Sequence, residues 1–425
     1  MSTLANEIDT LRFTTAGSVD DGKSTLIGRL LYDSKSILED QIAAVARTSE
    51  KRGHDGLDLS LLTDGLTAER EQGITIDVAY RYFTSAKRRF IIADTPGHEQ
   101  YTRNMVTGAS TADVSVIVLD AARGIQPQSR RHAAVASLLD IPHVIVAVNK
   151  MDLVGYSQDV FERIKREFQA LARELGVREV SFIPLSALAG DMVVTRGDNL
   201  SWYGGPTLLE FLETVRVDGG AQPAFRFPVQ LVSRVRFGPN NEHRGYLGRL
   251  ESGRVRVGDR VLALPSGETA RVREIITVDG NLDIAESPDS VTISLDRQID
   301  LSRGDFLVDA AQPPRMTDVI SANVCWLGSE PLSFNRRYLL KHQTRTVRAA
   351  IKKVETRFDV NTLQAVPADG TLSANDLGRL SIRTAQPLFI DAYWANHATG
   401  GFILIDEASN ATVAAGTFIV EAKDA

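Results

Sequence analysis

The chain has 425 residues, a formal net charge of −6 at pH 7 and 43% hydrophobic residues. This length suggests two to four domains with buried cores, and the negative charge argues weakly against nucleic-acid binding. A single cysteine, Cys325, excludes an intramolecular disulfide, so we expect a buried thiol and a reducing cytoplasm. Without a charged-then-apolar leader or an apolar run near ~18 residues, we expect neither secretion nor a membrane-spanning helix.

The first strong motif lies between an apolar, β-branched run at 11–16 and a helical pattern that begins near Lys23. It reads G-S-V-D-D-G-K-S-T and fits the phosphate-binding pattern G-x-x-x-x-G-K-[ST]. Backbone N–H groups and a helix N-terminus can converge on phosphate there, and Lys23 adds charge for the β- and γ-phosphates. Ser24 stands where a hydroxyl can ligate Mg²⁺. The predicted phosphate-binding residues here are Gly17, Ser18, Val19, Asp20, Asp21, Gly22, Lys23, Ser24 and Thr25.

A second motif, N-K-M-D, follows a buried-strand run at 144–148 and indicates the base. Guanine offers two adjacent donors to the carboxylate of Asp152, whereas adenine would face it with a lone pair. Asn149 would tie this loop to the phosphate loop, and the stem of Lys150 would cover the guanine face. Alone the motif is also an ordinary turn; its register with Lys23 favours the guanine interpretation. The predicted guanine-binding residues are Asn149, Lys150, Met151 and Asp152, with Ser186, Ala187 and Leu188 after a strand run at 181–185.

Between these motifs, an apolar run at 90–93 ends in D-T-P-G-H, which is typical of a γ-phosphate sensor. Asp94 can hold Mg²⁺ through water, and the Gly97 N–H can meet the terminal phosphate. His98 stands where the small GTPases have a water-orienting glutamine. The alternative for His98 is an ordinary surface histidine. The predicted phosphate-binding residues of this loop are Asp94, Thr95, Pro96, Gly97 and His98.

A further switch element is predicted at 69–77, where Thr75 can offer its hydroxyl to Mg²⁺ and its N–H to the γ-phosphate. The apolar alternation around it also fits a half-buried strand. Its order between the two phosphate motifs favours the switch. The predicted catalytic residues are Lys23, Thr75 and His98, and the predicted metal ligands are Ser24, Thr75 and Asp94.

Two breaks rich in glycine, alanine and proline predict that the chain forms three domains. Strand runs alternate with helical patterns such as 157–175 up to about residue 217, which indicates a doubly wound, mainly parallel α/β P-loop domain. Breaks at 219–223 and 310–314 separate β-rich stretches that are typical of β-barrels. We expect domains at 1–218, 223–312 and 315–425. The strand runs expected in the barrels are 244–253, 255–259, 324–327, 344–351 and 417–420.

A basic stretch occurs in the last third of the chain, interleaved with apolar residues. Its spacing favours the solvated face of strands over a docking surface for an anionic partner. The basic residues are Arg336, Arg337, Lys341, Arg345, Arg348, Lys352 and Lys353.

One G domain followed by two barrels resembles the translation elongation factor class of GTPases along essentially the whole chain. Within that class the sequence is most similar to the GTPase subunit of heterodimeric sulfate adenylyltransferase. Asp21 and Arg103 replace the histidine and lysine typical of factors that deliver aminoacyl-tRNA. The strings that carry the resemblance lie at 17–25, 66–83, 94–105 and 202–210.

The resemblance implies that this chain binds and hydrolyses GTP with Mg²⁺. A small partner subunit would join ATP and sulfate into adenosine 5′-phosphosulfate and diphosphate. No membrane is implied. Within these 425 residues no kinase module is expected, because no second phosphate loop follows Lys23. The alternative is a translation GTPase that delivers aminoacyl-tRNA. The acidic pair Asp20 and Asp21 should repel a triphosphate unless a cation intervenes or the side chains point away.

Overall fold

The computed structural model describes residues 9–51, 57–62, 77–98, 101–217, 223–236, 242–359, 364–367 and 370–420. The chain divides into two compact units. The first comprises Met1–Asp218 with Asp359–Gln364, and the second comprises Gly219–Phe358 with Ala365–Ala425. None of the helices in these ranges has the length and apolar character needed to cross a membrane.

The first unit alternates strands and helices, as the sequence predicts. Its strands are β1 (Thr10–Gly17), β2 (Ala79–Thr84), β3 (Arg89–Asp94), β4 (Val114–Asp120), β5 (His143–Asn149) and β6 (Glu179–Pro184). Its helices are α1 (Lys23–Asp33), α2 (Glu39–Lys51), α3 (Thr102–Ala109), α4 (Pro127–Leu138), α5 (Gln158–Leu175) and α6 (Leu208–Thr214). Single 3-10 turns occupy Leu59–Leu62 and Met151–Val154.

The strands of the first unit form one sheet in the order β2-β3-β1-β4-β5-β6. All neighbours pair in parallel except β2, which runs antiparallel to β3. Because β1 lies between β3 and β4, the connections that leave β1 and β4 depart in opposite directions along the sheet. Such a switch point opens a crevice at the carboxyl ends of the strands, and ligands bind there in this kind of sheet.

Helix α5 shows how local sequence sets an element. The Ser157 hydroxyl accepts a hydrogen bond from the Val160 N–H at 3.4 Å, and Gly176 ends the helix with φ +70°. Between these caps the buried side chains recur every three or four residues and face the sheet. They are Phe161, Ile164, Phe168, Leu171 and Ala172. The predicted helix at 157–175 is therefore confirmed.

The second unit is built almost entirely from strands. They are β7 (Arg226–Arg236), β8 (Glu242–Arg249), β9 (Arg254–Arg256), β10 (Arg260–Leu264), β11 (Glu268–Thr277), β12 (Gly280–Leu282), β13 (Ile284–Glu286), β14 (Ser290–Leu295) and β15 (Phe306–Asp309). There follow β16 (Arg315–Trp326), β17 (Tyr338–His342), β18 (Arg345–Asp359), β19 (Gln364–Pro367), β20 (Leu377–Ile390), α7 (His397–Gly400), β21 (Gly401–Asp406) and β22 (Thr412–Ile419).

These strands close into two barrels, which confirms the predicted fold class. The first runs β10-β15-β7-β8-β14-β11 and closes by pairing β10 with β11. The second runs β17-β21-β22-β16-β20-β18 and closes by pairing β17 with β18. Each barrel encloses its own apolar cluster. The division of this unit at 312–315 into two domains stays a prediction.

The strand predicted at 255–259 is wrong in its second half. Only β9 (Arg254–Arg256) forms, and the chain then turns. The Asp259 carboxylate accepts the Arg256 N–H at 2.8 Å, and Gly258 has φ +91°. A side chain that bonds a nearby backbone N–H stabilises a turn at the expense of a strand.

A buried ion pair links the two barrels within the second unit. The Arg226 guanidinium donates two hydrogen bonds of 2.9 Å to the Asp391 carboxylate, and the Thr399 hydroxyl donates a third at 2.5 Å. Such a bidentate pair fixes orientation as well as distance. The two barrels are thereby held as one unit.

The basic stretch lies mostly in solvent, as the spacing favours. Arg345 differs because it is half-buried, with its guanidinium paired with Asp305 at 3.2 Å and lying over the Phe389 ring. The exposed members are Arg336, Arg337, Lys341, Arg348, Lys352 and Lys353.

Candidate functional site

The phosphate loop joins the carboxyl end of β1 to the N-terminus of α1 at the crevice of the sheet. Gly22 has φ +88°, and a Cβ there would overlap the Asn149 side-chain amide, so only glycine fits. Among the residues that the structure describes, no side chain caps the first turn of α1 by a hydrogen bond. Its N–H groups are therefore oriented for an anionic ligand, as helix N-termini are in phosphate sites.

Two predicted site residues meet at the start of α1. The Lys23 ammonium pairs with the Asp94 carboxylate, and both side chains are buried. The Thr15 hydroxyl also donates to Asp94 at 3.3 Å. The structure thus brings the phosphate lysine together with the carboxylate predicted to hold Mg²⁺.

The loop after β3 packs directly on the phosphate loop. Thr95 donates its N–H at 3.3 Å and its hydroxyl at 2.7 Å to the Thr15 carbonyl. A Cβ on Gly97 would overlap the Gly17 carbonyl oxygen, so this approach requires glycine. Gln128 donates to the Gly97 carbonyl at 2.8 Å, a contact that no sequence motif predicts.

His98 lies at the exposed end of this loop, beside the ring of Tyr101 at 6.2 Å between centroids. Because it is exposed, the imidazole can contact a water molecule without a rearrangement of the loop. Thr75 and the rest of 63–76 lie outside the described residues. The role of Thr75 as a switch residue and metal ligand therefore stays a prediction.

The predicted link between the base loop and the phosphate loop is present. The Asn149 amide donates to the Asp21 carbonyl at 2.9 Å, and its oxygen accepts the Ala187 N–H at 2.9 Å. The Lys150 ammonium bonds the Asp20 carbonyl and pairs with Asp120 at 3.0 Å. One asparagine thus joins three segments that are far apart in sequence.

The residues predicted to read the base edge also meet. The Ser186 hydroxyl donates to Asp152 Oδ1 at 2.6 Å, and both side chains lie at the carboxyl edge of the sheet. Ala187 is buried, whereas Leu188 is exposed. Arg29 of α1 donates to the carbonyls of both residues, at 3.0 and 2.6 Å. Met151 is buried beneath the base loop.

The acidic pair in the phosphate loop divides into one exposed and one buried side chain. Asp20 is exposed, whereas Asp21 is fully buried and its Oδ2 accepts the Ser18 N–H at 3.0 Å. Within the described part of the chain, its Oδ1 has no hydrogen-bond partner. Burial raises the pKa of Asp21 to about 6, and nearby Asp120 adds to the effect. For Asp21 the structure shows the second of the two alternatives, because its carboxylate points into the protein. For the exposed Asp20 both alternatives stay open.

Replacing Asp21 by asparagine is expected to stabilise the nucleotide-free protein at neutral pH. Folding raises the pKa of Asp21 from 3.8 to about 6, so the folded protein is most stable when this carboxyl is protonated. That stability is lost as the pH rises through about 6. The free energy of unfolding of the variant should exceed that of the wild type by about 3 kcal/mol at pH 7. This difference should vanish towards pH ~4. Denaturant unfolding of the full chain across this range measures it.

The exposed neighbour provides the matched control. Asp20→Asn replaces an exposed carboxylate in the same loop, so its free energy of unfolding should stay within about 0.5 kcal/mol of the wild-type value. A stability gain for Asp21→Asn that is independent of pH would contradict the assignment to ionisation.

The donor set at the start of α1 fits Mg²⁺. Ser24 offers a half-buried hydroxyl in the first turn, and Asp94 offers a carboxylate beside Lys23. These are oxygen ligands, which Mg²⁺ prefers, and few protein ligands are usual when phosphates complete its shell.

Comparisons with known proteins agree with this geometry. The family model described as "Elongation factor Tu GTP binding domain" matches residues 9–217, and "GTP-eEF1A C-terminal domain-like" matches residues 319–419. The S. cerevisiae Ski7 GTPase-like domain, solved with GDP and inorganic phosphate, is 18% identical with a TM-score of 0.52 and covers 97% of this chain and 98% of that chain. At that identity the likeness concerns the fold. Fold and site define a GTP-binding protein of the elongation-factor class.

Curated relatives narrow the class. Sulfate adenylyltransferase subunit 1 of Chromobacterium violaceum is 52% identical over 421 residues, which are 98% of this chain and 87% of the relative. The "Bifunctional enzyme CysN/CysC" of Mycobacterium tuberculosis is 54% identical over 96% of this chain, and the match spans 66% of that relative's length. The chain belongs to the sulfate adenylyltransferase subunit 1 family, a GTPase subunit of a multi-subunit enzyme. This confirms the resemblance seen in the sequence.

Proposed function

We propose that this chain hydrolyses GTP and couples that reaction to sulfate activation on a small partner subunit. There ATP and sulfate would form adenosine 5′-phosphosulfate and diphosphate. The observation that carries the proposal is the convergence of three loops at one crevice, joined by Asn149 to Asp21 and Ala187. Family membership supplies the link to sulfate.

In the proposed site the phosphate loop receives the triphosphate. Lys23, in the first turn of α1, would place its ammonium against the β- and γ-phosphates, and Gly22 leaves room for the backbone to approach. Asp152 would accept the N1–H and the 2-amino group of guanine, and Lys150 would cover the base. Ser186 orients the Asp152 carboxylate through its 2.6 Å hydrogen bond.

Metal binding in this proposal falls to Ser24 and Asp94, with Thr75 as the predicted third ligand. Bound Mg²⁺ supplies charge that neutralises the phosphate oxygens as the terminal bond breaks. If a phosphate oxygen accepted a hydrogen bond from the Lys23 ammonium, the Asp94 carboxylate would be free to hold Mg²⁺ through water. Lys23 and Asp94 would therefore exchange their mutual pairing for contacts with the ligand.

Hydrolysis would use His98 to orient the attacking water. The water oxygen bonds the γ-phosphorus while the bond to the β–γ bridging oxygen breaks, and the water proton passes to the phosphate product. Gly97 would offer its N–H to the terminal phosphate. Loss of the γ-phosphate would remove this contact from the loop that carries His98, while Gln128 still donates to the Gly97 carbonyl.

His98→Ala is expected to bind GTP almost as the wild type does but to hydrolyse it about 10²-fold more slowly, as losing a water-orienting group commonly does. Binding should be retained because His98 lies at the exposed end of its loop, and its side chain bonds no other predicted site residue among those described. Single-turnover hydrolysis beside equilibrium binding measures the split. His143→Ala, at the amino end of β5, is the control, and normal turnover in His98→Ala would remove His98 from the mechanism.

The coupling is tested with the small subunit from the same genome. GTP hydrolysis is followed with and without ATP and sulfate, and adenosine 5′-phosphosulfate is measured in parallel. The proposal requires turnover to rise with both substrates and product to accumulate only when GTP is hydrolysed. Turnover that ignores them and responds to ribosomes would instead indicate a translation factor.

A further inference from the structure

Asp191 lies beside the proposed base site, outside every motif that the sequence singled out. Its side chain is 6% exposed, and its Oδ2 accepts hydrogen bonds from the Tyr156 hydroxyl at 2.8 Å and the Asn199 amide at 3.0 Å. Gly197 packs against Oδ1 so closely that a Cβ there would overlap it. A buried carboxylate held by two donors is a fixed point in the structure.

Tyr156 connects this fixed point to the base loop. It follows the 3-10 turn Met151–Val154 that carries Asp152, and its N–H donates to the Met151 carbonyl at 2.8 Å. Its backbone has φ +55°, a left-handed conformation that a tyrosine adopts only when its surroundings hold it. Burial raises the pKa of Tyr156 to about 12, and the Asp191 hydrogen bond adds to this. The hydroxyl therefore stays a donor at neutral pH.

The backbone of Asp191 connects the same point to the other base-contacting loop. Its carbonyl accepts the Ser186 N–H at 3.1 Å, and the Ser186 carbonyl accepts the Gly190 N–H at 2.8 Å. One residue thus holds the Asp152 side of the base site through its side chain and the Ser186 side through its backbone.

Trp202 adds support from a segment that the motifs left without a role. Its indole N–H donates to the Tyr156 carbonyl at 2.9 Å, and its ring packs on Phe161 of α5 at 5.4 Å between centroids. We call Tyr156, Asp191, Asn199 and Trp202 the base brace.

We propose that the base brace positions Asp152 and Ser186 for the 2-amino edge of guanine, with Asp191 as the central positioning residue. The inference rests on the proposed guanine site. A carboxylate that must accept two adjacent donors tolerates little displacement, and the brace fixes both loops that carry the Asp152–Ser186 pair.

The test compares GDP with inosine diphosphate, which lacks the 2-amino group, on the full chain by calorimetry. Tyr156→Phe removes one hydroxyl and keeps the ring. We expect GDP affinity to fall about tenfold, the loss typical of one hydrogen bond to a charged group, while affinity for inosine diphosphate falls less. The GDP preference should therefore shrink. Asp191→Ala should shrink it further, and adding Tyr156→Phe to Asp191→Ala should change nothing more.

Arg196→Ala is the matched control, because Arg196 lies in the same connection but bonds Gly205 and Glu210 rather than the brace. It should keep the wild-type preference. Thermal unfolding is recorded for every variant, and Tyr156→Phe keeps the test decisive if Asp191→Ala does not fold. If the brace variants unfold at lower temperature but keep the wild-type preference for GDP over inosine diphosphate, the positioning role of the brace is wrong. The proposed guanine site would not be affected by that result. A wild type without GDP preference would overturn the guanine site and the brace together.

Discussion

Lys23→Ala is expected to lose GTP binding by about 10³-fold or more, the largest effect of any single substitution in the chain. Two hydrogen bonds from an ammonium to phosphate, each about 1.5–3 kcal/mol, account for a loss of this order. Lys23 is held at the first turn of α1 and is 7% exposed, so no other side chain moves easily into its place. Equilibrium binding of a fluorescent GTP analogue measures the loss.

Loss of Lys23 also affects folding. It leaves the buried Asp94 carboxylate without its cation, which by itself destabilises the first unit. Lys23→Arg keeps a positive charge for Asp94 but replaces a compact ammonium by a wider planar group. We expect this variant to fold and still bind GTP poorly. Lys87→Ala, a surface lysine paired with Glu213, is the control, and retained GTP affinity in Lys23→Ala would refute the phosphate-loop assignment.

Asp152→Asn is expected to bind xanthosine triphosphate in preference to GTP. An amide can accept the N1–H of xanthine and donate to its C2 carbonyl, whereas its NH₂ faces the 2-amino group of guanine. The ratio of the two affinities should change by about 10³-fold, since a buried polar group that loses its partner discriminates strongly. Competition binding with both nucleotides measures the ratio.

The structure makes this substitution a mild one for the fold. The Ser186 hydroxyl lies 2.6 Å from Asp152 Oδ1, and the side-chain carbonyl of the introduced asparagine can still accept it, so the two base loops stay together. Asp159→Asn, on the exposed first turn of α5, is the control for loss of a carboxylate. An unchanged preference in Asp152→Asn would show that another group reads the base.

Much of the site could be predicted because its parts are local. A glycine-rich loop between β1 and α1 is recognised from nine consecutive residues, and the base loop from four. Their meeting followed from one rule, since the carboxyl ends of parallel strands share an edge. The contact of Asn149 with the phosphate loop was expected from the N-K-M-D motif, and the structure shows it.

Other features depended on which distant residues become neighbours. Gln128 and Asp191 belong to no motif, and they matter only because α4 and the connection after β6 fold back onto the site. The burial of Asp21 was equally hidden, because the loop sequence does not show which of its side chains face the interior. Burial raises the pKa of Asp21, and Asp120 at the end of β4 adds to this effect.

The second unit also combines features that local sequence predicts with features that depend on distant segments. Alternating apolar residues and glycine turns predicted barrels, because strand periodicity is a local property. Closure also requires pairing between strands far apart in sequence, such as β7 with β15 and β16 with β22. The Arg226–Asp391 ion pair, across 165 residues, then links the two barrels. The elements, the nucleotide motifs and the family can thus be read from the order of residues alone. Which buried polar groups find partners depends on the folded chain, because hydrogen bonds and desolvation are set by neighbours brought together from distant segments.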